Sequence, residues 1–145
     1  MSIIKIESEH INAGVISGLI AGVVFGAMMA MMGMLPMIAK LLGGSSALFG
    51  FVLHLIFSMV IGAIFAIFLG HAAADRMKGI TLGIIYGVIW WFLGPLTLMP
   101  LWLGMGIQLS PEGMQAALPS LWGHLVYGFI LGLIYPMIVG LKPKN

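Results

Sequence analysis

Two histidines, His54 and His124, begin similar apolar segments that lie 70 residues apart in the sequence. The first segment reads His-Leu-Ile-Phe-Ser-Met-Val-Ile-Gly and the second reads His-Leu-Val-Tyr-Gly-Phe-Ile-Leu-Gly. An imidazole can donate or accept a hydrogen bond, bind a metal ion and titrate near neutral pH. Two of them in equivalent apolar settings therefore predict a helix brace, a ligand site or a proton-responsive pair.

The helix brace is the interpretation that we favour. A proline inside a helix leaves the carbonyl four residues earlier without its usual partner. Pro36 and Pro100 would free the carbonyls of Met32 and Leu96 in this way, at about the depth of the two histidines. A neutral imidazole costs far less in a membrane than an ion does. Each histidine is therefore expected to donate an N–H to one of these carbonyls.

Ligand binding and proton sensing are the alternatives. Two equivalent histidines across a helical bundle can take both axial positions of haem b, which makes His54 and His124 the cofactor candidates. Imidazole with thioether ligands suits copper, so the metal candidates are the same two histidines with Met28, Met31 and Met32. Two cationic imidazoles would also repel each other, which gives the proton-responsive pair. The first expectation is no cofactor, because no carboxylate is at hand to orient the imidazoles.

The elements that position these histidines must cross a membrane. The 145 residues are 61% hydrophobic and only 7% charged, with a mean hydropathy of +1.17, which is too apolar for a soluble domain. Four apolar stretches are long enough to span a bilayer, at residues 11–38, 47–70, 79–104 and 118–141. The sequence therefore predicts an all-α fold, a single transmembrane domain over residues 1–145 that forms a four-helix bundle.

Small residues at every fourth position predict how these helices pack. Such stripes let helix backbones approach closely in a membrane. Spans one and three align at an offset of 65 residues and spans two and four at 70, which predicts two tandem helical hairpins, at about 11–70 and 79–141. Their parallel pseudo-twofold axis would lie along the membrane normal. The residues expected to shape this packing are Gly18, Gly22, Ser58, Gly62, Gly83, Gly87, Gly128, Gly132, Pro36 and Pro100.

The charged residues predict topology and exclude several classes of function. Five of the six basic residues fall on one side, at the N-terminus, at 76–78 and in the tail, and Lys40 alone falls on the other. Both termini are therefore expected in the cytoplasm, with the protein in the cytoplasmic (inner) membrane. The chain has no basic patch for nucleic acid, and without cysteine it has no thiolate chemistry. No acid or base lies at a suitable spacing from a serine or threonine, so we do not expect an enzyme.

Two motifs resemble a known family. Leu53-His-Leu-Ile-Phe-Ser-Met-Val and Trp122-Gly-His-Leu-Val-Tyr, with the glycines 79–87 leading into a proline-broken span, are similar to segments of the YagU-like bacterial inner-membrane proteins. The similarity covers about the C-terminal two thirds of the chain. It implies a multi-pass inner-membrane protein in which His54 and His124 fall on the two histidine motifs. It implies no substrate, catalytic residue or cofactor.

The expected function is that of an accessory or scaffolding subunit of a membrane complex. Its partners would be the lipid bilayer and either further copies of the chain or other membrane subunits, because glycine-rich helix faces pack within and between bundles. A membrane protein that binds haem or copper through the paired histidines is the alternative function. A small-molecule channel or transporter is the third, although the spans hold no internal Asp, Glu, Lys or Arg for an ion-coupled path.

Overall fold

The computed structural model describes the backbone of residues 3–140 and the side chains of residues 8–140, and within this range it is helical and holds no strand. The α-helices are α1 (Ile3–Met31), α2 (Leu35–Lys40), α3 (Ala47–Leu69), α4 (Arg76–Leu93), α5 (Met99–Trp102) and α6 (Pro111–Gly140). Four segments of the described chain are long and apolar enough to cross a membrane, at Ser8–Met31, Ala47–Leu69, Arg76–Trp102 and Pro111–Gly140. The predictions of an all-α fold and of four helices long and apolar enough to span a membrane are confirmed. Lys142 and Lys144, used in the topology prediction, lie outside the described residues, as does the side chain of Lys5.

The first span ends earlier than predicted, because the chain turns at Gly33. This glycine has a φ of 69°, in the left-handed region that favours glycine. The N–H of Met34 donates to the carbonyl of Met29 at 2.9 Å, and the N–H of Gly33 to that of Ala30 at 3.2 Å, which is the pattern of a Schellman cap. Pro36 then lies in the first turn of α2, where a missing N–H costs nothing.

The third span contains a break that the sequence indicated only by its prolines. Residues 94–98, between α4 and α5, form a π-helical turn, and Thr97 Oγ1 donates to the carbonyl of Phe92 at 2.8 Å. Pro100 lies in the first turn of α5. The fourth span is a longer continuous helix than predicted, since α6 begins at Pro111 and continues through Pro119 and Pro136. Membrane helices tolerate such prolines where neighbouring groups bond the freed backbone.

The helices pack in two close pairs, α1 with α3 and α4 with α6, and α1 also packs on α6. Glycines lie where the backbones meet. A Cβ built at Gly18 would overlap the carbonyl oxygen of Ser58 and lie 3.0 Å from Cα of Gly62. A Cβ at Gly83 would overlap the carbonyl oxygen of Gly128. At both places the obstacle is backbone, so any larger residue must push two helices apart.

Tyrosine hydroxyls connect the two pairs of helices. Tyr127 on α6 donates to the carbonyl of Ser58 on α3 at 2.6 Å, and Tyr86 on α4 donates to the carbonyl of Ile61 on α3, also at 2.6 Å. Both tyrosines are buried, so an unpaired hydroxyl there would be costly. Phe65 lies beside Tyr86, with the ring centroids 5.1 Å apart, and completes an aromatic core between the pairs.

Replacing Tyr127 with phenylalanine should lower the free energy of unfolding by about 1 kcal/mol, because it deletes the hydroxyl that joins α6 to α3 and keeps the ring. Thermal unfolding in detergent would measure the change. Phe129→Tyr, on a partly exposed face of the same helix, is the control for adding or removing a hydroxyl. A Tyr127→Phe variant as stable as the wild type would mean that the 2.6 Å bond to Ser58 contributes nothing.

Candidate functional site

His54 is buried on α3 and bonds across to α1. Its Nε2 donates to the carbonyl of Gly22 at 3.0 Å. Gly22 allows α1 and α3 to come this close. A Cβ at Gly22 would overlap the side chain of Ser58, which lies on α3 one turn after His54. Ser58 Oγ donates to the carbonyl of His54 at 2.7 Å and lies 3.5 Å from Nε2. The imidazole therefore links two helices through one backbone carbonyl.

His124 is bonded differently. Its Nδ1 donates at 2.8 Å to the carbonyl of Ser120, one turn earlier on the same helix, α6. The side chain is partly exposed, whereas that of His54 is 7% exposed. A Cβ added at Gly94, in the π-helical turn, would lie 3.8 Å from His124 Nε2. The two histidines that look equivalent in the sequence thus make different bonds, one between helices and one within a helix.

The ring of Phe25 packs against both imidazoles. Its centroid lies 5.0 Å from that of His54 with the planes at 88°, and 4.9 Å from that of His124 at 66°. Such edge-on contacts are favourable between aromatic rings. The same ring covers Gly123, where a Cβ would overlap it. The structure therefore brings the two histidines together around a phenyl ring that sequence reasoning did not single out.

The prediction that the histidines donate to the carbonyls of Met32 and Leu96 is wrong. Pro36 begins a new helix after the turn at Gly33, so it does not interrupt a continuous helix beside His54. The carbonyl of Leu96 accepts the N–H of Gln108 at 2.8 Å, from the loop that follows α5. Each imidazole bonds instead to a carbonyl within a regular helix.

Two of the three methionines named as metal candidates are exposed, and neither is buried beside the histidines. Met31 is 82% exposed and Met32 is 40% exposed, so both side chains lie on the outer surface of the bundle. Met28 is partly buried. The methionine that enters the core is Met29, at 5% exposure. Met31 ends α1 and Met32 follows it, and neither is buried with His54, so the structure does not hold a site made jointly by all five proposed ligands.

A second cluster lies at the opposite end of the bundle. His10 Nδ1 is hydrogen-bonded to the hydroxyl of Tyr135, and the rings of His10 and His71 have their centroids 5.0 Å apart. These histidines line a cavity of about 300 Å³, together with Ile11, Ala66 and Ile67; we call these five residues the histidine cleft. Sequence reasoning missed the cleft, although one signal was present. His10 lies at the start of the first span and His71 follows the second, so antiparallel helices must bring them to the same end of the bundle.

The polar groups of the interior are satisfied within the chain. Among the side chains of residues 8–140, every buried nitrogen and oxygen has a hydrogen-bond partner. The same residues contain no group of three or more His, Asp or Glu side chains placed to hold a metal ion. Trp91 illustrates the bracing, since its Nε1 donates to the carbonyl of Ala117 on α6 at 3.0 Å.

These features define an all-α protein with four helices long and apolar enough to cross a membrane, whose interior polar contacts run mostly from side chains to backbone carbonyls. No family model, curated protein or solved structure gives a significant match to the chain. The similarity to the YagU-like proteins therefore stays a prediction.

Replacing His54 with leucine should destabilise the protein by about 1 kcal/mol, while the same change at His124 should cost clearly less. The first change removes a bond between α3 and α1, and the second removes a bond within α6. The two variants control for each other, because both place a leucine next to Phe25. Thermal unfolding in one detergent measures both losses. Equal losses of stability would contradict the difference between the two bonds and favour the symmetrical arrangement that the sequence predicts.

Proposed function

We propose that this protein is a non-catalytic accessory or scaffolding subunit of a membrane complex, assembled with further copies of itself or with other membrane subunits. The observation that supports this proposal is that the buried polar side chains of residues 8–140 are all engaged within the bundle. A catalytic or transport site usually keeps polar groups available for a substrate. A bundle that uses them to fasten its own helices is suited to a structural role.

The proposal includes a tandem repeat and a cytoplasmic-membrane location with both termini inside. Matching backbone contacts favour the repeat: Gly18 lies against the carbonyl of Ser58, and Gly83 lies against that of Gly128. The second contact follows from the first by the offsets of 65 and 70 residues found in the sequence. The distribution of basic residues supports the orientation. Fusions of a reporter to the C-terminus and to the turn at residues 41–46, directly after Lys40, would test the orientation.

The proposal treats His54 and His124 as braces that hold no cofactor. A haem bound by both imidazoles needs the flat macrocycle between them, whereas the ring of Phe25 lies against both. One nitrogen of each imidazole is also engaged with a backbone carbonyl. These contacts favour bracing over ligation by haem or copper.

An absorption spectrum and a metal analysis of purified protein test this assignment. We expect no Soret band and less than stoichiometric iron and copper. The matched sample is a His54→Gln, His124→Gln double variant, which should melt at a lower temperature and have the same spectrum. A haem band or one equivalent of copper that the double variant loses would contradict the assignment and favour the cofactor-binding alternative.

The mass of the assembly that contains the protein tests the subunit role. The protein should be extracted with its surrounding lipid, without detergent, and analysed by native mass spectrometry. We expect a defined multiple of the 15.5 kDa chain or a constant stoichiometric partner. A photo-reactive residue at Phe68, which is 79% exposed, or at Trp122, which is 68% exposed, should then cross-link to the neighbouring subunit. A single chain at every ratio of lipid to protein, without cross-links, would contradict the proposal.

A further inference from the structure

The two pairs of helices meet each other through two unlike interfaces. α1 packs directly on α6, whereas the Cα atoms of α3 and α4 stay more than 8 Å apart over nearly the whole length of the two helices. We call the space between α3 and α4 the lateral seam. It is lined on α3 by Ile61 and Phe65, and on α4 by Leu82, Tyr86 and Trp90. The bundle is therefore closely packed on one side and spaced on the other.

The size of the side chains accounts for this difference. On α1, Ser17 and Ala21 are small and fully buried. At the offset of 65 residues found in the sequence, they correspond to Leu82 and Tyr86 on α4. Small residues let membrane helices approach closely. A leucine and a tyrosine in the corresponding places hold α4 away from α3.

The exposure of aromatic residues shows that the lateral seam is less well filled than the α1–α6 interface. Phe57, one turn before Ile61 on α3, is 39% exposed, whereas Tyr127, 70 positions later on α6, is 4% exposed. Trp90 is partly exposed, whereas Phe25, 65 positions earlier on α1, is buried. Close packing is a main source of attraction between membrane helices, so this attraction is weaker at the seam.

A hydrogen bond and aromatic contacts hold the lateral seam together. Tyr86 donates to the carbonyl of Ile61 at 2.6 Å, and its ring centroid lies 5.1 Å from that of Phe65. Lipid chains are as apolar as the other side chains of the seam, so the hydrophobic effect does not favour the closed form in a membrane. The bond from Tyr86 is thus the directional contact that closes the seam.

Each pair of helices is packed tightly enough to move as one body. Gly18 of α1 lies against the carbonyl of Ser58 on α3, and Gly83 of α4 lies against that of Gly128 on α6. The α1–α6 interface is then the pivot between the two bodies. The bond from Tyr127 to Ser58 lies beside this pivot, because a Cβ at Gly18 would be 3.1 Å from the Tyr127 hydroxyl.

We propose that the lateral seam opens and closes, and that Tyr86 is its latch. Residues 70–75 connect α3 to α4, and Phe65 packs on Tyr135 of α6 with the ring centroids 5.6 Å apart, so this end of the seam is fixed. Rotation of the α1–α3 pair against the α4–α6 pair widens the other end, toward Trp90, and exposes the aromatic core to lipid chains. Two forms that differ by one hydrogen bond and loose packing are close in free energy, so both are populated. This inference goes beyond the proposed subunit role, which requires no movement of the helices.

Distances between pairs of spin labels, measured on the full chain in a lipid bilayer, test the opening. The chain has no cysteine, so introduced pairs are labelled selectively. Ile56→Cys with Ile89→Cys reports on the seam, and Ile20→Cys with Phe129→Cys reports on the pivot; all four positions are exposed. The seam pair should have the broader distance distribution. Tyr86→Phe should raise the population of long seam distances about fivefold, the effect of one hydrogen bond, and leave the pivot distances unchanged.

Tyr127→Phe is the matched control, because it deletes the same hydroxyl group beside the pivot and not at the seam. It should lower the melting temperature and keep the seam distances of the wild type. A seam pair with a distribution as narrow as that of the pivot pair would overturn the inference. So would seam distances that Tyr86→Phe leaves unchanged, or that Tyr86→Phe and Tyr127→Phe change equally.

Discussion

Replacing Gly83 with valine should separate α4 from α6 and greatly reduce the yield of folded protein. A Cβ at this position would overlap the carbonyl oxygen of Gly128 and lie 2.9 Å from Cα of Gly132. Both obstacles are backbone, so no rotamer change can relieve them. Overpacking typically costs about 1–3 kcal/mol, and a clash with backbone belongs at or above the upper end of that range. Close glycine contacts are also a main source of attraction between membrane helices, and valine would remove this one.

The measurement is the folded fraction after extraction, followed by thermal unfolding in one detergent. Gly140→Val is the matched control, because a Cβ at Gly140 has no other atom within 4 Å. The control should behave as the wild type does. If Gly83→Val and Gly140→Val were recovered in equal yield with equal melting temperatures, the close packing of α4 against α6 would be refuted.

The second large effect is expected at Phe25. Its side chain is 5% exposed, touches both imidazoles and covers Gly123, so alanine at this position would leave a cavity in the centre of the bundle. Phenylalanine-to-alanine changes in protein cores typically cost about 3–5 kcal/mol. In a membrane the transfer component is smaller, because lipid is also apolar, and the lost packing remains. We therefore expect a loss near the lower end of this range.

Thermal unfolding again measures the loss, with Phe68→Ala as the matched control. Phe68 is 79% exposed, so its removal should change stability little. Equal effects at the two positions would show that the ring of Phe25 does not support the core. The Phe25→Ala protein should also be incubated with haem, because the braced arrangement predicts that the vacated space alone does not create a haem site.

The fold was predictable because membrane-spanning helices are recognised from the hydropathy of about twenty consecutive residues and not from single positions. Twenty or so apolar residues must cross a membrane as a helix, and four such stretches are evident in the sequence. The helix ends were less predictable, because they depend on single backbone torsions. Gly33 was one glycine among 21, and nothing in the apolar pattern marked it as the residue that turns the chain after α1.

The candidate site was predictable only in part. A histidine in an apolar span is conspicuous, and helical spacing placed His54 and Ser58 on one face. Its acceptor could not be predicted, because any backbone carbonyl at the right depth is equivalent in sequence terms. Phe25 was hidden for a related reason, since a phenylalanine in an apolar helix has no distinguishing pattern. His10 and Tyr135 are 125 residues apart, and only the packed fold shows that they meet.

Apart from the bond between His10 and Tyr135, the cross-helix hydrogen bonds described above have a side chain as donor and a backbone carbonyl as acceptor. Tyr127 donates to the carbonyl of Ser58 and Tyr86 to that of Ile61, and these acceptors persist whatever side chain the accepting residue carries. Selection for such a bond therefore acts on the side chain of the donor residue and not on that of the acceptor residue. A saturation scan should find the tyrosines intolerant of change, while Ile61 accepts any side chain that fits. The two ends of each bond would not covary, so even a deep set of homologous sequences would carry little record of how these helices are joined.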